Sequence, residues 1–238
     1  MSKETPEIVV VVAAPVDAVW DALRDKEKIR HWHGWEDPQL DAEIDLIYFS
    51  DGTVEDGHTL TSPNGDRFVV EPWEGGSRVT LTRAAYGANP DWDAYYDDIT
   101  EGWITFLHQL RFALERHPGS GRRTLFYSGI GGRSTGPAEL LGLDGAVGSE
   151  YRAEVVGEAV SGSVWFRSEH QVGLTVDQWG DGLLVLSYIA PGEAKPSGAA
   201  MAALTLYGLD DNERERLGER WQSWWSTHYP APPQPGND

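Results

Sequence analysis

The sequence predicts an α+β chain of two successive domains, each an antiparallel meander closed by a long helix. Three observations carry this. Short β-branched runs alternate with Gly-, Asn- and Asp-rich turns, an amphipathic helical stretch ends each half, and His117-Pro118-Gly119-Ser120-Gly121 punctuates the chain between them.

The first half opens on Glu7-Ile8-Val9-Val10-Val11-Val12-Ala13, a β-branched run that reads as a buried strand. Pro15 suits the first position of a helix, where a missing N–H costs nothing, and Val16, Val19, Trp20 and Leu23 then form one apolar face. Asp25 to Arg30 predicts a second short helix. Strands are expected over Ile44 to Phe49, Thr53 to Thr61, Arg67 to Trp73 and Arg78 to Arg83, separated by Asp51-Gly52, Pro63-Asn64-Gly65 and Gly75-Gly76. Asp98-Ile99-Thr100-Glu101 matches a capping box for the closing helix, whose stripe is Ile99, Trp103, Phe106, Leu107, Leu110 and Leu114.

The second half repeats the plan more loosely. Thr124 to Ile130 is its opening strand and Pro137-Ala138-Glu139-Leu140-Leu141 its short helix. Strands follow over Tyr151 to Val156, Gly162 to Trp179, Leu183 to Ala190 and Met201 to Tyr207, then a helix from Asp211 to Tyr229. Leu217, Trp221, Trp224, Trp225 and His228 follow offsets 0, 4, 7, 8 and 11; Ile99, Trp103, Phe106, Leu107 and Leu110 follow the same offsets 118 residues earlier. With Pro15 and Pro137 lying 122 apart, spacing and element order point to a duplication. The expected domains are 7–117 and 122–230, followed by a Pro-rich tail, 231–238, unable to bury apolar surface.

The chain has 38 acidic and 19 basic residues, a net charge of -19. The halves on either side of residues 119 and 120 carry -13 and -6, so the acidity belongs mostly to the first. Such a surface repels phosphate backbones and anionic lipid, which argues against nucleic-acid and membrane partners. With no cysteine, disulfide, thiol and iron–sulfur chemistry are excluded. Neither a signal-peptide pattern nor a run of bilayer-spanning length is present, so a cytoplasmic location is expected.

The stretch "EIVVVVAAPVDAVWDALRDKEKIRHWHGW", with the later "EGWITFLHQLRFAL", resembles the START-like helix-grip superfamily, also called SRPBCC. The positions that match are Ala14, Pro15, Val19, Trp20, Ala22, Leu23 and Trp32, then Glu101, Gly102, Trp103 and Leu107. The branch it looks most like is that of homologues of the heat-shock chaperone ATPase activator. The resemblance covers residues 7 to 117; the second half matches in element order. It implies a sheet curled around the C-terminal helix with a cavity between them. The residues expected there are Trp32, His33, Tyr48, Phe68, Trp103, Phe106, Leu107 and Leu110 in the first half, and Phe166, His170, Tyr188, Trp221, Trp224 and Trp225 in the second. A fully packed core is the commoner role of such an aromatic stripe. The region between Trp35 and Arg83 is short for this family, so a strand fewer is expected.

Three further readings concern particular residues. In "RHWHGWED", His31 and His33 lack metal-ligand spacing, with His58 the one other histidine near in sequence, so Trp32, His33 and Trp35 read as packing at a cavity rim rather than a zinc site. His170 alternates with Val172, Leu174 and Val176, so it shares the apolar face unless a hairpin tip intervenes. His228 reads as a helix-terminal residue. No phosphate loop, Gly-x-Ser-x-Gly elbow or triad is legible, and no cofactor is implied. The expectation is a binder of an apolar small molecule rather than an assigned enzyme. The alternatives are a polyketide aromatase or cyclase using Tyr48, Tyr188 and His170, and a module regulating a chaperone ATPase.

Overall fold

The computed structural model describes residues 5–88, 95–132, 135–193 and 195–231. The chain divides into two compact units, Met1–Gly121 and Arg122–Asp238. Apart from Ala231, the tail expected to be disordered lies outside the described residues.

The first unit runs β1 (Glu7–Val12), α1 (Val16–Arg24), α2 (Lys26–Arg30), α3 (Leu40–Ile44), a π-helical turn (Asp45–Phe49), β2 (Val54–Asp56), β3 (Thr59–Thr61), β4 (Arg67–Trp73), β5 (Gly76–Thr82) and α4 (Tyr96–Arg116). The five strands order as β1-β5-β4-β3-β2 with every pair antiparallel. Ile8, Val10, Val12, Phe68, Val70, Val79 and Leu81 face Trp103, Phe106, Leu107 and Leu110 of α4 in one apolar core.

The second unit runs β6 (Arg123–Gly129), α5 (Pro137–Leu140), β7 (Glu150–Val155), β8 (Glu158–Arg167), β9 (Gln171–Val176), a 3-10 turn (Asp177–Trp179), β10 (Gly182–Ile189), β11 (Ala199–Leu206) and α6 (Asp211–His228). Its six strands order as β6-β11-β10-β9-β8-β7, again antiparallel. The first strand of each sheet pairs with the last, and the rest follow in reverse order. Each sheet lays one face against its own closing helix. The architecture is therefore two tandem α+β units of helix-grip plan, with one strand fewer in the first.

Five expectations need correction. The β1 run is not buried on both faces: Val9 and Val11 are 46% and 41% exposed, because only Ile8, Val10 and Val12 turn inward. Ile44 to Phe49 is not a strand but the end of α3 and the π-helical turn. Leu40, Ile44 and Tyr48 recur every four residues along one helical face, and that period outweighs the local β propensity. Thr53 to Thr61 is a hairpin, β2 and β3, turned at Gly57 with φ +58°. Gly162 to Trp179 is likewise two strands and a turn.

The fifth concerns the capping box at Asp98, which does not form because α4 starts earlier, at Tyr96. The buried Tyr96 ring holds that first turn down: its Oη donates to the Ala84 carbonyl at 2.6 Å, and the Arg83 guanidinium lies 4.9 Å above the ring. A capping box does form on α6, between Asp210 and Glu213.

Below α4, Asp66 and Arg83 form a buried ion pair, Nε to Oδ1 at 2.9 Å, with side chains 0% and 4% exposed. The same Oδ1 accepts from the Ala84 N–H at 2.8 Å, and Arg83 also donates to Thr100 Oγ1 at 2.7 Å. This pair ties the end of β5 to the start of α4.

Candidate functional site

In the first unit, the side chains expected around a cavity make up the core itself. None of Trp32, His33, Tyr48, Phe68, Trp103, Phe106, Leu107 and Leu110 is more than 8% exposed. Asp25 caps α2 through the Glu27 and Lys28 N–H groups, and α2 ends at His31, which turns Trp32 and His33 inward. The Trp32 indole donates to the Ala22 carbonyl at 2.8 Å. Trp32 and His33 are thus interior groups, not a rim; Trp35 keeps the rim position, half-buried with its ring 5.8 Å from that of Phe106.

His33 is the polar centre of this cluster. Its ring centroid lies 4.7 Å from Phe106, 5.4 Å from Trp103 and 5.6 Å from Trp32. Nδ1 is 3.1 Å from Tyr48 Oη and Nε2 is 3.2 Å from Glu43 Oε1. A carboxylate can only accept, so Nε2 carries the proton given to Glu43; when the ring holds that proton alone, Nδ1 accepts from the Tyr48 hydroxyl. The hydrogen-bonded chain therefore runs from the phenol at the core to a carboxylate with 48% of its side chain exposed. Tyr48 comes from the π-helical turn, whose wider spacing aims the ring inward beside Phe68 at 6.0 Å. His58 is not part of this group; its ring lies 5.5 Å from Trp20. No metal-capable group of three ligands occurs among the described residues.

Burial pushes the Tyr48 hydroxyl well above its ordinary value, with Glu43 and Asp66 adding to the rise. Burial also pushes Tyr127 and Tyr207 up to about 12. These folded-state values exceed the unfolded one, so the contribution to stability is complete below about pH 10 and is lost as pH rises through the folded values. Urea denaturation repeated from about pH 8 to about pH 11 is expected to show stability falling above about pH 10. Tyr48→Phe is expected to flatten part of that fall; an unchanged slope would contradict the burial of its hydroxyl.

In the second unit, several of the expected side chains border an opening. A cleft of about 290 Å³ lies between α5 and the neighbouring ends of β8, β9 and β10. Val172, Leu186 and Tyr188, from the sheet face that packs on α6, meet Pro137 and Ala138 there, while Arg167, His170 and Ser187 add polar groups. His170 sits in the turn between β8 and β9 with its side chain 34% exposed, so it is both a hairpin-tip residue and a cleft residue. Its carbonyl accepts from the Tyr188 N–H at 2.9 Å, and Tyr188 Oη donates to the Gly131 carbonyl at 3.2 Å.

Phe166 does not reach the cleft. Val164 pairs with Leu174, but Phe166 pairs with Gly173, so Trp165 is an extra residue and the strand is bulged. Facing is reversed beyond that point: Phe166 lies over Gly173, where an added Cβ would sit 2.2 Å from its ring, and Arg167 takes the inner side opposite Val172. Arg167 Nε donates to the Gly145 carbonyl at 2.6 Å, and the guanidinium also pairs with Asp144. The bulge has no signature in an alternating sequence, which is why Arg167 escaped notice.

Deeper in this unit, Trp221 and Trp225 are buried against Tyr127, Trp179 and Tyr229. Among the described residues, neither indole N–H has a hydrogen-bond partner. Trp224 is half-buried, stacked on His228 with ring centroids 4.3 Å apart. His228 Nδ1 lies 2.7 Å from the Trp224 carbonyl, in the last turn of α6 as its spacing implied.

No described helix is long and apolar enough to cross a membrane. No family model matches the chain, and no curated protein matches it. Two solved structures are similar along most of the length. One is DynU16, from the dynemicin biosynthetic locus, at 16% identity, with 94% of this chain and 96% of that one covered and a TM-score of 0.31. The other is the di-domain ARO/CYC StfQ from the steffimycin biosynthetic pathway, at 12% identity, with 94% and 95% covered and a TM-score of 0.31. At these values the similarity adds nothing to the fold already read from strand order.

Proposed function

We propose that the chain binds a small molecule and that its second unit holds the ligand in the cleft beneath α5. The observation that carries this is the opening of about 290 Å³ on the sheet face that meets the closing helix. That volume is near the lower end for small-molecule sites. Val172, Leu186 and the Tyr188 ring offer apolar surface to the body of a ligand, and Arg167, His170 and Ser187 offer hydrogen bonds to oxygen substituents.

Tryptophan fluorescence titrated with fatty acids and with phenolic polyketides is expected to saturate for one of these classes. His170→Trp, which fills the cleft from its exposed rim, is expected to abolish the response while leaving the thermal transition in place. A response that survives this substitution, or no saturation with either class, would defeat the reading.

A second reading is catalytic: an aromatase- or cyclase-type enzyme acting on a polyketide-like substrate. It is favoured by His170 and Tyr188 lining the same cleft, since such chemistry needs an acid and a base beside the reacting carbons. If it holds, His170→Phe retains binding and loses turnover; binding and turnover lost together would favour simple binding.

A further inference from the structure

β1 is one of the two edge strands of the first sheet, and its ladder shows which backbone groups remain open. The Pro6 carbonyl accepts from the Arg83 N–H at 3.0 Å, which makes Pro6 and Arg83 a hydrogen-bonded pair. In an antiparallel ladder such pairs alternate with non-bonded ones. Ile8 with Leu81, Val10 with Val79 and Val12 with Ser77 are then bonded, and Glu7, Val9 and Val11 turn their N–H and C=O groups away from the sheet. Ala13 has the same parity, and its N–H is taken by Glu115 Oε1 at 2.8 Å.

The open groups of Val9 and Val11 border a groove of about 380 Å³ whose other wall is His108, Arg111 and Glu115 of α4. Native sheets blunt their edges with proline, lysine, bulges or a covering element, because an open edge recruits another strand. Within β1 there is no proline, no lysine and no bulge, and α4, which lies beside the strand and takes the Ala13 N–H, leaves the groove open along Val9 and Val11. Carboxylates flank it instead: Glu7 begins the strand, and Glu74, in the β4–β5 turn, lines the groove at the other end. Arg111 is already paired with Glu115 at 3.1 Å.

We infer that this edge accepts an extended segment of a basic partner protein, which adds a strand to the first sheet. The segment carries β-branched residues opposite Val9 and Val11 and a lysine at each end for Glu7 and Glu74. The backbone supplies a ladder and the flanking acids select charge; the net -19 of the chain favours the same sign of partner.

The probe is a labelled, capped heptapeptide, Lys-Thr-Val-Thr-Val-Thr-Lys, followed by fluorescence anisotropy with the full chain. Saturable binding is expected, weakened roughly tenfold when the valine that pairs with Val9 is N-methylated, since one ladder hydrogen bond is lost. Val9→Pro removes the matching donor on the protein at a position where an edge strand tolerates proline, and is expected to weaken binding as much. The N-methylated peptide keeps the test decisive should Val9→Pro fail to fold. Equal binding of the N-methylated peptide, equal binding of a version with glutamate for lysine, or absence of saturation would each overturn the proposal. So would a dimer of the chain that Val9→Pro dissociates, since the edge would then belong to a second copy.

Discussion

Arg83→Met is expected to destabilise the first unit by about 3–5 kcal/mol, the cost of leaving a buried charge without its partner. Asp66 is fully buried, and its Oδ1 receives both the Arg83 guanidinium and the Ala84 N–H. With the cation gone, the carboxylate keeps one neutral donor from the backbone and that of Asn64 at 3.2 Å, too little to replace water. Adding Asp66→Asn to Arg83→Met removes the charge and keeps an oxygen for Ala84, so the double variant is expected to recover most of the loss. Urea denaturation of the parent chain and the two variants checks this. A cost for Arg83→Met below about 1 kcal/mol is what a solvated pair would give, and would contradict the burial.

Trp221→Ala is expected to cost the second unit about 3–5 kcal/mol, the range for deleting a large buried ring. The ring is 0% exposed, stacked on Tyr127 at 6.1 Å and edge-on to Trp179. Trp221→Phe separates the ring from its polar atom. It keeps most of the packing and deletes a buried donor that has no partner, so it is expected to cost much less. If the phenylalanine variant is as unstable as the alanine one, the indole N–H has a partner after all.

The architecture was largely legible in the sequence because its signals are periodic. The stripes of α4 and α6, the turn residues and Pro15 and Pro137 each act within a few residues of where they stand. What escaped was set by longer-range contact. α4 gains its first turn from the Tyr96 ring against Ala84 and Arg83, not from the box at Asp98. Ile44 to Phe49 has strand-like composition, yet Leu40, Ile44 and Tyr48 share one helical side. The candidate sites divided similarly. The alternation that groups His170 with Val172 led to a residue of the cleft, whereas the bulge at Trp165 turned Phe166 out and brought Arg167 in. Glu43 went unnoticed because its link to His33 depends on a helix that composition alone hides.

The pairing of first strand with last bears on how the chain is made. Glu7 meets Thr82 and Arg123 meets Leu206. At a synthesis rate of about 5–20 residues per second, each opening strand waits several seconds for its neighbour to leave the ribosome. For that interval the valine run of β1 is bare on both edges, which leaves an extended apolar segment of the nascent chain open to misassociation.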